Sequence, residues 1–483
     1  MNFGCLSDSL DENGAGLSPD DLSRHVYILG STGCGKSTLI RNLYKHLECA
    51  NHTGVLANSS IYIDIKDEDS KLLLRQCEKK TTENDNITYL DINESYFGVN
   101  LLELPKYNTT ERDTIVSRMV GHIVEMFREF YTNSKTFIQM ERILRLLLFY
   151  LYSNTDEPTM LDLYSVITRL QSDGVRELQR ILQIYKKITG PEMENALMSI
   201  SKLPKESWIP LLNRIEMFAT DNYLKMKFGI VHSTINFEKM LEPGNITIFR
   251  LSDTETPKYA HSLILMAIVI KIWFMIQHRA SKIASDKRSL VVLTLDEFQR
   301  IKDLSVLTSI LSQARAYNLG LILSHQNLAQ IDTELLETIV GNTATQVYGR
   351  VSGIDASRIA RIIDPHFAEE LTDQLAVQAD FIFTEKTRPP PGQPQGFPFQ
   401  FKALPPPPLL FDENETSELL EKMKKQYKSN DILQSPLDLA ISKKTEWMKQ
   451  LQLKFYSKEE FDIMRFLRNH EANLTKIVEA IGS

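Results

Sequence analysis

Eight residues near the amino end, Gly30, Ser31, Thr32, Gly33, Cys34, Gly35, Lys36 and Ser37, satisfy the spacing G-x-x-x-x-G-K-[ST]. The glycines let the backbone take positive φ and turn successive N–H groups toward an anion, and a helix opening at Thr38 adds its partial positive charge. Lys36 is the residue expected to reach the β and γ phosphates of ATP, and Ser37 the one to ligate Mg²⁺. A glycine-rich turn without a ligand is the plainer alternative, but it explains neither the apolar strand Val26 to Leu29 before the loop nor the helical run Thr38 to Leu47 behind it. The loop alone serves kinases, GTPases, transporters and nucleic-acid motors equally well.

A second constellation narrows that choice. In "LVVLTLDEF" an apolar run delivers Asp296 and Glu297 to a strand's carboxyl end, where ligands bind in open α/β sheets. Asp296 suits the Mg²⁺ site, through water and beside Ser37. Glu297 suits a base that orients and deprotonates water, a role a kinase has no use for because it must exclude water. A later apolar run ends in "SHQ" and places the Gln326 amide where it can touch both the γ-phosphate and that water. Arg315, between the two runs, is a candidate to reach the nucleotide of an adjacent subunit, since a permanently charged planar fork stabilises charge on a leaving phosphate. Arg350 and Arg361 are rivals that sequence does not separate from it.

The elements that must position these residues follow from hydrophobic periodicity. Strand texture recurs at Ile61 to Ile65, Asn86 to Ile92, Asn245 to Leu251, Ser289 to Gln299, Leu319 to Gln326 and Thr345 to Val351, alternating with helical stretches. That alternation implies a parallel sheet. Between Pro105 and Phe237 the apolar spacing becomes three and four, as in Ile115, Met119, Ile123, Met126 and Phe127, and strand signals fade. The chain therefore reads as a core over 1–104 and 238–386, interrupted by an all-helical insertion over 105–237. Within the insertion Arg169, Arg176, Arg180, Lys186 and Lys187 form a basic stretch, read as a solvated helix face. A proline-rich linker is expected over 387–410 and a helical tail over 411–483. In the tail, Phe461, Met464, Leu467, Leu474, Ile477, Val478 and Ile481 stand at the helical spacing of a partial helix-turn-helix.

Composition excludes whole classes. At 483 residues, 42% hydrophobic and 24% charged, the chain is neither collagen-like nor disulfide-rich nor disordered. Its four cysteines, Cys5, Cys34, Cys49 and Cys77, show no C-x-x-C pair, which predicts reduced thiols and no zinc site. The apolar stretch Ser262 to Ile276 is interrupted by Lys271 and falls short of the roughly 20 residues that span a bilayer. A buried helix is expected there, and no transmembrane segment. The acidic start has neither a basic nor an apolar leader region, so a cytoplasmic location is expected, with docking at the inner face of the membrane as its variant. A net charge of −7 argues against a nucleic-acid coat, although a motor that grips DNA inside a ring needs only a local positive surface.

The run Gly30 to Ser37, the "DIKDE" of Asp64 to Glu68, "GVNLLE" around Asn100, "DEF" at Asp296 and "QARAYNLGLILSHQNLAQ" from Gln313 together resemble the coupling ATPases of conjugative type IV secretion systems. These belong to the HerA and FtsK class of DNA-pumping motors. The resemblance covers most of Tyr27 to Asp364, and the insertion resembles their all-alpha domain. It implies an α/β fold, a RecA-like P-loop NTPase sheet with an inserted all-helical domain and a C-terminal helical tail, assembled as a homo-hexamer that drives DNA through a channel. It also implies relaxosome or secretion-channel proteins as partners. By position Lys36 and Ser37 match the phosphate and metal groups, Asp296 and Glu297 the Walker B pair, Gln326 the sensor and Arg315 the arginine finger. Two alternatives remain open: an assembly ATPase acting on protein, and a nucleotide-controlled DNA-binding regulator.

Overall fold

The computed structural model describes residues 2–6, 14–67, 69–83, 85–94, 96–129, 134–155, 157–184, 191–252, 255–301, 305–389, 392 and 396–426. The expected helix-turn-helix of the tail lies outside the described residues. Among the described residues eleven strands form one sheet: β1 (Asn2–Leu6), β2 (Gly14–Gly16), β3 (Val26–Leu29), β4 (Asn58–Asp64), β5 (Ile87–Asp91), β6 (Ile246–Arg250), β7 (Leu290–Asp296), β8 (Leu319–His325), β9 (Thr345–Tyr348), β10 (Ile382–Thr387) and β11 (Phe399–Ala403). Their order is β2-β1-β11-β10-β9-β3-β8-β7-β4-β6-β5. The seven strands from β9 to β5 run parallel, as expected from sequence, and the β10, β11, β1 and β2 end is antiparallel.

The parallel strands read as continuous apolar runs because both faces are covered. Alternate residues sort into two cores. Tyr27, Leu29, Ile61, Ile63, Leu293, Leu295, Leu321 and Leu323 join one, and Val26, Ile28, Tyr62, Val292 and Ile322 join the other. The second core is closed by the helix Lys36–His52, which presents Leu39, Ile40, Leu43, Tyr44 and Leu47 on one stripe. Burial of each such side chain stabilises by roughly 1.5–3 kcal/mol, so this helix is anchored rigidly behind the loop it carries.

Between β5 and β6 the described residues form only helices, 3-10 turns and connections, the long ones being Arg112–Glu129, Ser134–Asn154 and Met160–Ile184. Their buried residues, Ile115, Met119, Ile123, Leu144, Leu147 and Leu148 among them, continue the first core without a break into the sheet face. The helix Lys258–Lys282 also lies there and is buried almost throughout, although its length and composition alone would let it cross a membrane.

Lys271 of that helix is 3% exposed, and its ammonium donates to the carbonyl oxygens of Asn100, at 3.2 Å, and Glu103. Burial lowers its pKa to about 8 from 10.5. Because the folded form releases this proton more readily than the unfolded chain, stability should rise as pH climbs from 8 toward 10.5. The expected gain between pH 8 and pH 10 is on the order of 2 kcal/mol relative to a Lys271→Met variant, measured by urea unfolding at both pH values. Equal pH slopes for the two proteins would refute this.

One expectation needs correction. The proline-rich stretch 387–410 is not simply a linker, since Phe399–Ala403 is strand β11, pairing with both β10 and β1. Its period-two pattern puts Phe401 and Ala403 into the second core, a signal masked by the flanking prolines. Strands β1 and β2, which precede Val26–Leu29 in the chain, form the far end of the antiparallel extension, where no long apolar run marks them.

Candidate active site

The loop strand β3 and the carboxylate strand β7 are not neighbours, for β8 runs between them in parallel with both. Parallel strands end at one edge, so Gly30 after β3, Gln326 after β8 and Glu297 after β7 arrive side by side with Gln326 in the middle. The topology therefore gives Gln326 a bridging place. Thr32 Oγ1 donates to Gln326 Oε1 at 3.1 Å, and Gln326 Nε2 donates to Glu297 Oε1 at 2.8 Å. The phosphate loop and the proposed base are thus joined through one amide.

The loop has the geometry its motif demands. Gly35 stands at φ +102 as the residue before the helix, where an L side chain would be strained whatever the space. At Gly30 a Cβ would come within 2.6 Å of Cys34 Sγ, so the thiol packs where only a glycine leaves room. Burial raises the pKa of the Cys34 thiol, and Cys34, Cys49 and Cys77 are all free. Lys36 Nζ donates to the carbonyl oxygens of Gly30 at 2.5 Å and Ser31 at 3.2 Å, folding its charge over the loop. The first intrahelical bond runs from Leu39 N to Gly35 O at 3.0 Å, so the N–H groups of Lys36, Ser37 and Thr38 come before it and have no acceptor within their own helix.

Glu297 is buried and adopts φ +59, a left-handed backbone for a residue that is neither glycine nor asparagine. Such strain costs of order 1–3 kcal/mol and concentrates at functional sites. A continued strand would send Asp296 and Glu297 to opposite faces, and the bend interrupts that alternation. Around the Glu297 carboxylate converge three donors: Lys66 Nζ, Gln299 Nε2 and Gln326 Nε2. Burial pushes its pKa up, but Lys66, Gln299 and Gln326 outweigh that and hold it below the ordinary carboxylate value. Asp296 goes the other way. Burial first, and then the negative charges of Glu297 and Asp69, raise it to about 7. Two adjacent carboxylates with pKa values pushed apart suit different tasks: Glu297 stays charged, while a divalent cation would reverse the shift at Asp296.

Sequence reasoning gave Lys66 and Gln299 no role. Lys66 stands in the "DIKDE" stretch after β4, which ends at the same edge as β7, and that shared edge was the available signal. The stretch is built as a rigid turn. The Asp64 carboxylate accepts from the backbone N–H groups of Lys66 at 3.2 Å, Asp67 at 3.0 Å, Asp69 at 3.0 Å and Ser70 at 2.6 Å. Arg250, at the end of β6, clamps Asp67, Asp91 and Glu255, which ties three strand ends together around Lys66.

The three candidate arginines are separated by the fold. Arg350 follows β9 at the loop's own edge: its carbonyl accepts from Ser31 N at 2.8 Å and its guanidinium pairs with Asp380 at 2.9 Å. Arg315 lies on the 3-10 turn Ala314–Tyr317, before β8, at the opposite edge of the sheet. It is exposed and lines a cavity of about 410 Å³ together with Arg24, His25, Asn342 and Arg388. Among the described residues no ion pair involves it. Arg361 is exposed on the helix Gly353–Ile363. The structure thus brings Lys36, Thr32, Gln326, Glu297 and Asp296 to one edge and leaves Arg315 away from them.

Comparison with known proteins fits this geometry. Residues 290–362, from β7 through the helix after β9, match a family model described as the TraM recognition site of TraD and TraG. No curated protein matches the chain. Among solved structures, the unbound bacterial conjugative coupling protein TrwBdeltaN70 matches with a TM-score of 0.51 and 13% identity, covering 81% of this chain and 88% of that one. This chain has the fold of the conjugative coupling protein TrwB. TrwB in complex with the non-hydrolysable ATP analogue ADPNP also matches, with a TM-score of 0.51, 13% identity and coverage of 79% and 86%. VirB4 of Thermoanaerobacter pseudethanolicus matches with a TM-score of 0.56 and 14% identity, over 84% of this chain and 96% of that one. The α/β P-loop NTPase architecture expected from the sequence is therefore the observed one.

Proposed function

We propose that this protein binds ATP with Mg²⁺ and hydrolyses it to translocate DNA, acting as a homo-hexameric ring in a type IV secretion or conjugation setting. The observation that carries the hydrolytic reading is the chain Thr32–Gln326–Glu297–Lys66, which links the phosphate loop to a buried, charged carboxylate. In it Glu297 orients the attacking water, Gln326 reports the γ-phosphate to it, Lys36 neutralises phosphate charge, and Ser37 and Asp296 hold Mg²⁺. The backbone N–H groups of Gly30 to Thr38 cradle the phosphates. The DNA reading is supported by the coupling-protein fold and by the matched segment over 290–362, whose description also motivates a relaxosome protein as partner. The proposed place of action is the cytoplasmic side of the membrane.

The deciding measurement is the ATPase rate of the purified chain with and without single- and double-stranded DNA. Stimulation by either form is the expected result. Turnover indifferent to both would overturn the DNA reading in favour of an ATPase acting on protein, and DNA binding with negligible turnover would favour a nucleotide-controlled regulator.

A further inference from the structure

Phe381 is a bulky residue in a conformation bulky residues avoid. Its φ is +65, its side chain is 40% exposed, and it sits in the turn just before β10. Glycine or asparagine would occupy this position at little cost, so a phenylalanine there calls for a reason in the side chain. The turn is held on both sides. Phe381 N donates to Cys34 O in the phosphate loop at 2.8 Å, and Ala403 N, at the end of β11, donates to Phe381 O at 2.8 Å.

The ring leans on the loop itself. A Cβ added to Gly35 would come within 2.6 Å of Phe381 Cδ1, so glycine at 35 leaves space for an aromatic edge as well as a positive φ. This is also a particular end of the loop. Thr32, which holds Gln326, marks the γ-phosphate end. Gly35 opens the helix whose first turn faces the α-phosphate side, where the remainder of a nucleotide must leave the loop. Along that helix Asn42 Nδ2 donates to Leu404 O at 3.0 Å, bringing the segment after β11 alongside. Next to the ring, the Arg350–Asp380 pair closes the side facing β9.

We propose that Phe381 is the platform on which the nucleobase of the bound nucleotide stacks, making this antiparallel extension of the sheet part of the nucleotide site. The inference rests on the ATP-binding reading above and adds the residue that would recognise a base as distinct from a phosphate chain. Aromatic stacking on a base contributes about 1–3 kcal/mol, a factor of roughly 5 to 150 in affinity.

The test compares two probes, ADPNP and inorganic tripolyphosphate, titrated calorimetrically with Mg²⁺ into the full chain. Phe381→Gly, which removes the ring and suits the left-handed backbone, should weaken ADPNP by roughly 5- to 150-fold and leave tripolyphosphate unchanged. Phe381→Tyr should bind both probes as the parent does. Parallel weakening of both probes would mean that the ring only supports the loop, and unchanged ADPNP affinity would mean that the base lies elsewhere; either result overturns the inference. A parent protein that binds neither probe would overturn the P-loop reading and this inference with it, whereas tight binding of both by the parent keeps the two questions separate.

Discussion

Glu297→Gln protein should bind ATP about as well as the parent and hydrolyse it slower by on the order of 10²- to 10⁴-fold, the usual contribution of a positioned general base. The glutamine keeps the shape of the side chain and an oxygen that can still accept from Lys66 and Gln326, so the bridge to Thr32 should survive. What is lost is the negative charge that three donors hold in place. Lys36→Ala makes the contrast, because that ammonium is placed to meet phosphate in the ground state, so its loss should abolish nucleotide binding or turnover. Equilibrium binding of ADPNP and steady-state phosphate release separate the two variants. Near-normal turnover by purified Glu297→Gln protein would remove the assignment of the base.

The parts of this site that were legible in the sequence are those set by local spacing. The loop motif dictates glycine at 30 and 35 for reasons of φ and close approach, and those reasons hold in the fold. The runs that became β7 and β8 were legible because strands buried on both faces are apolar throughout, and a polar residue at the end of such a run marks an edge. Local spacing has nothing to say about partners far apart in the chain. Lys66 meets Glu297 across 231 positions, and only the neighbouring places of β4 and β7 in the sheet bring them together.

Backbone strain was equally hidden. A left-handed residue is usually announced by glycine, asparagine or aspartate, yet Glu297 and Phe381 adopt it without such a signal. In both, a side-chain contact goes with it, at the carboxylate and beside the loop. The antiparallel extension escaped notice for another reason. Its strand β11 is short and bracketed by proline-rich sequence, so its alternation of Phe399, Phe401 and Ala403 becomes meaningful only once β10 lies beside it.

Arg315 is where the ring itself is at stake. Its own loop lies at the other edge of the sheet, so any action of Arg315 on a phosphate must be on the nucleotide of a second subunit. Its charge is available for that, since it is exposed and no carboxylate neutralises it among the described residues. Arg24, lining the same cavity, is already paired with Asp20 and Asp21. Arg315→Ala should therefore bind ATP almost as tightly as the parent and hydrolyse it on the order of 10³-fold more slowly, as for loss of a transition-state arginine. Mixing decides whether the action crosses between subunits. Arg315→Ala chains carry an intact loop and Lys36→Ala chains an intact arginine, so mixed rings should regain part of the turnover that neither has alone. Native mass spectrometry would establish that mixed oligomers had formed. Mixed rings without any recovery would take the role from Arg315 and move it to Arg350, which already stands beside its own loop and would act there without a neighbour, or to Arg361 on its exposed helix face.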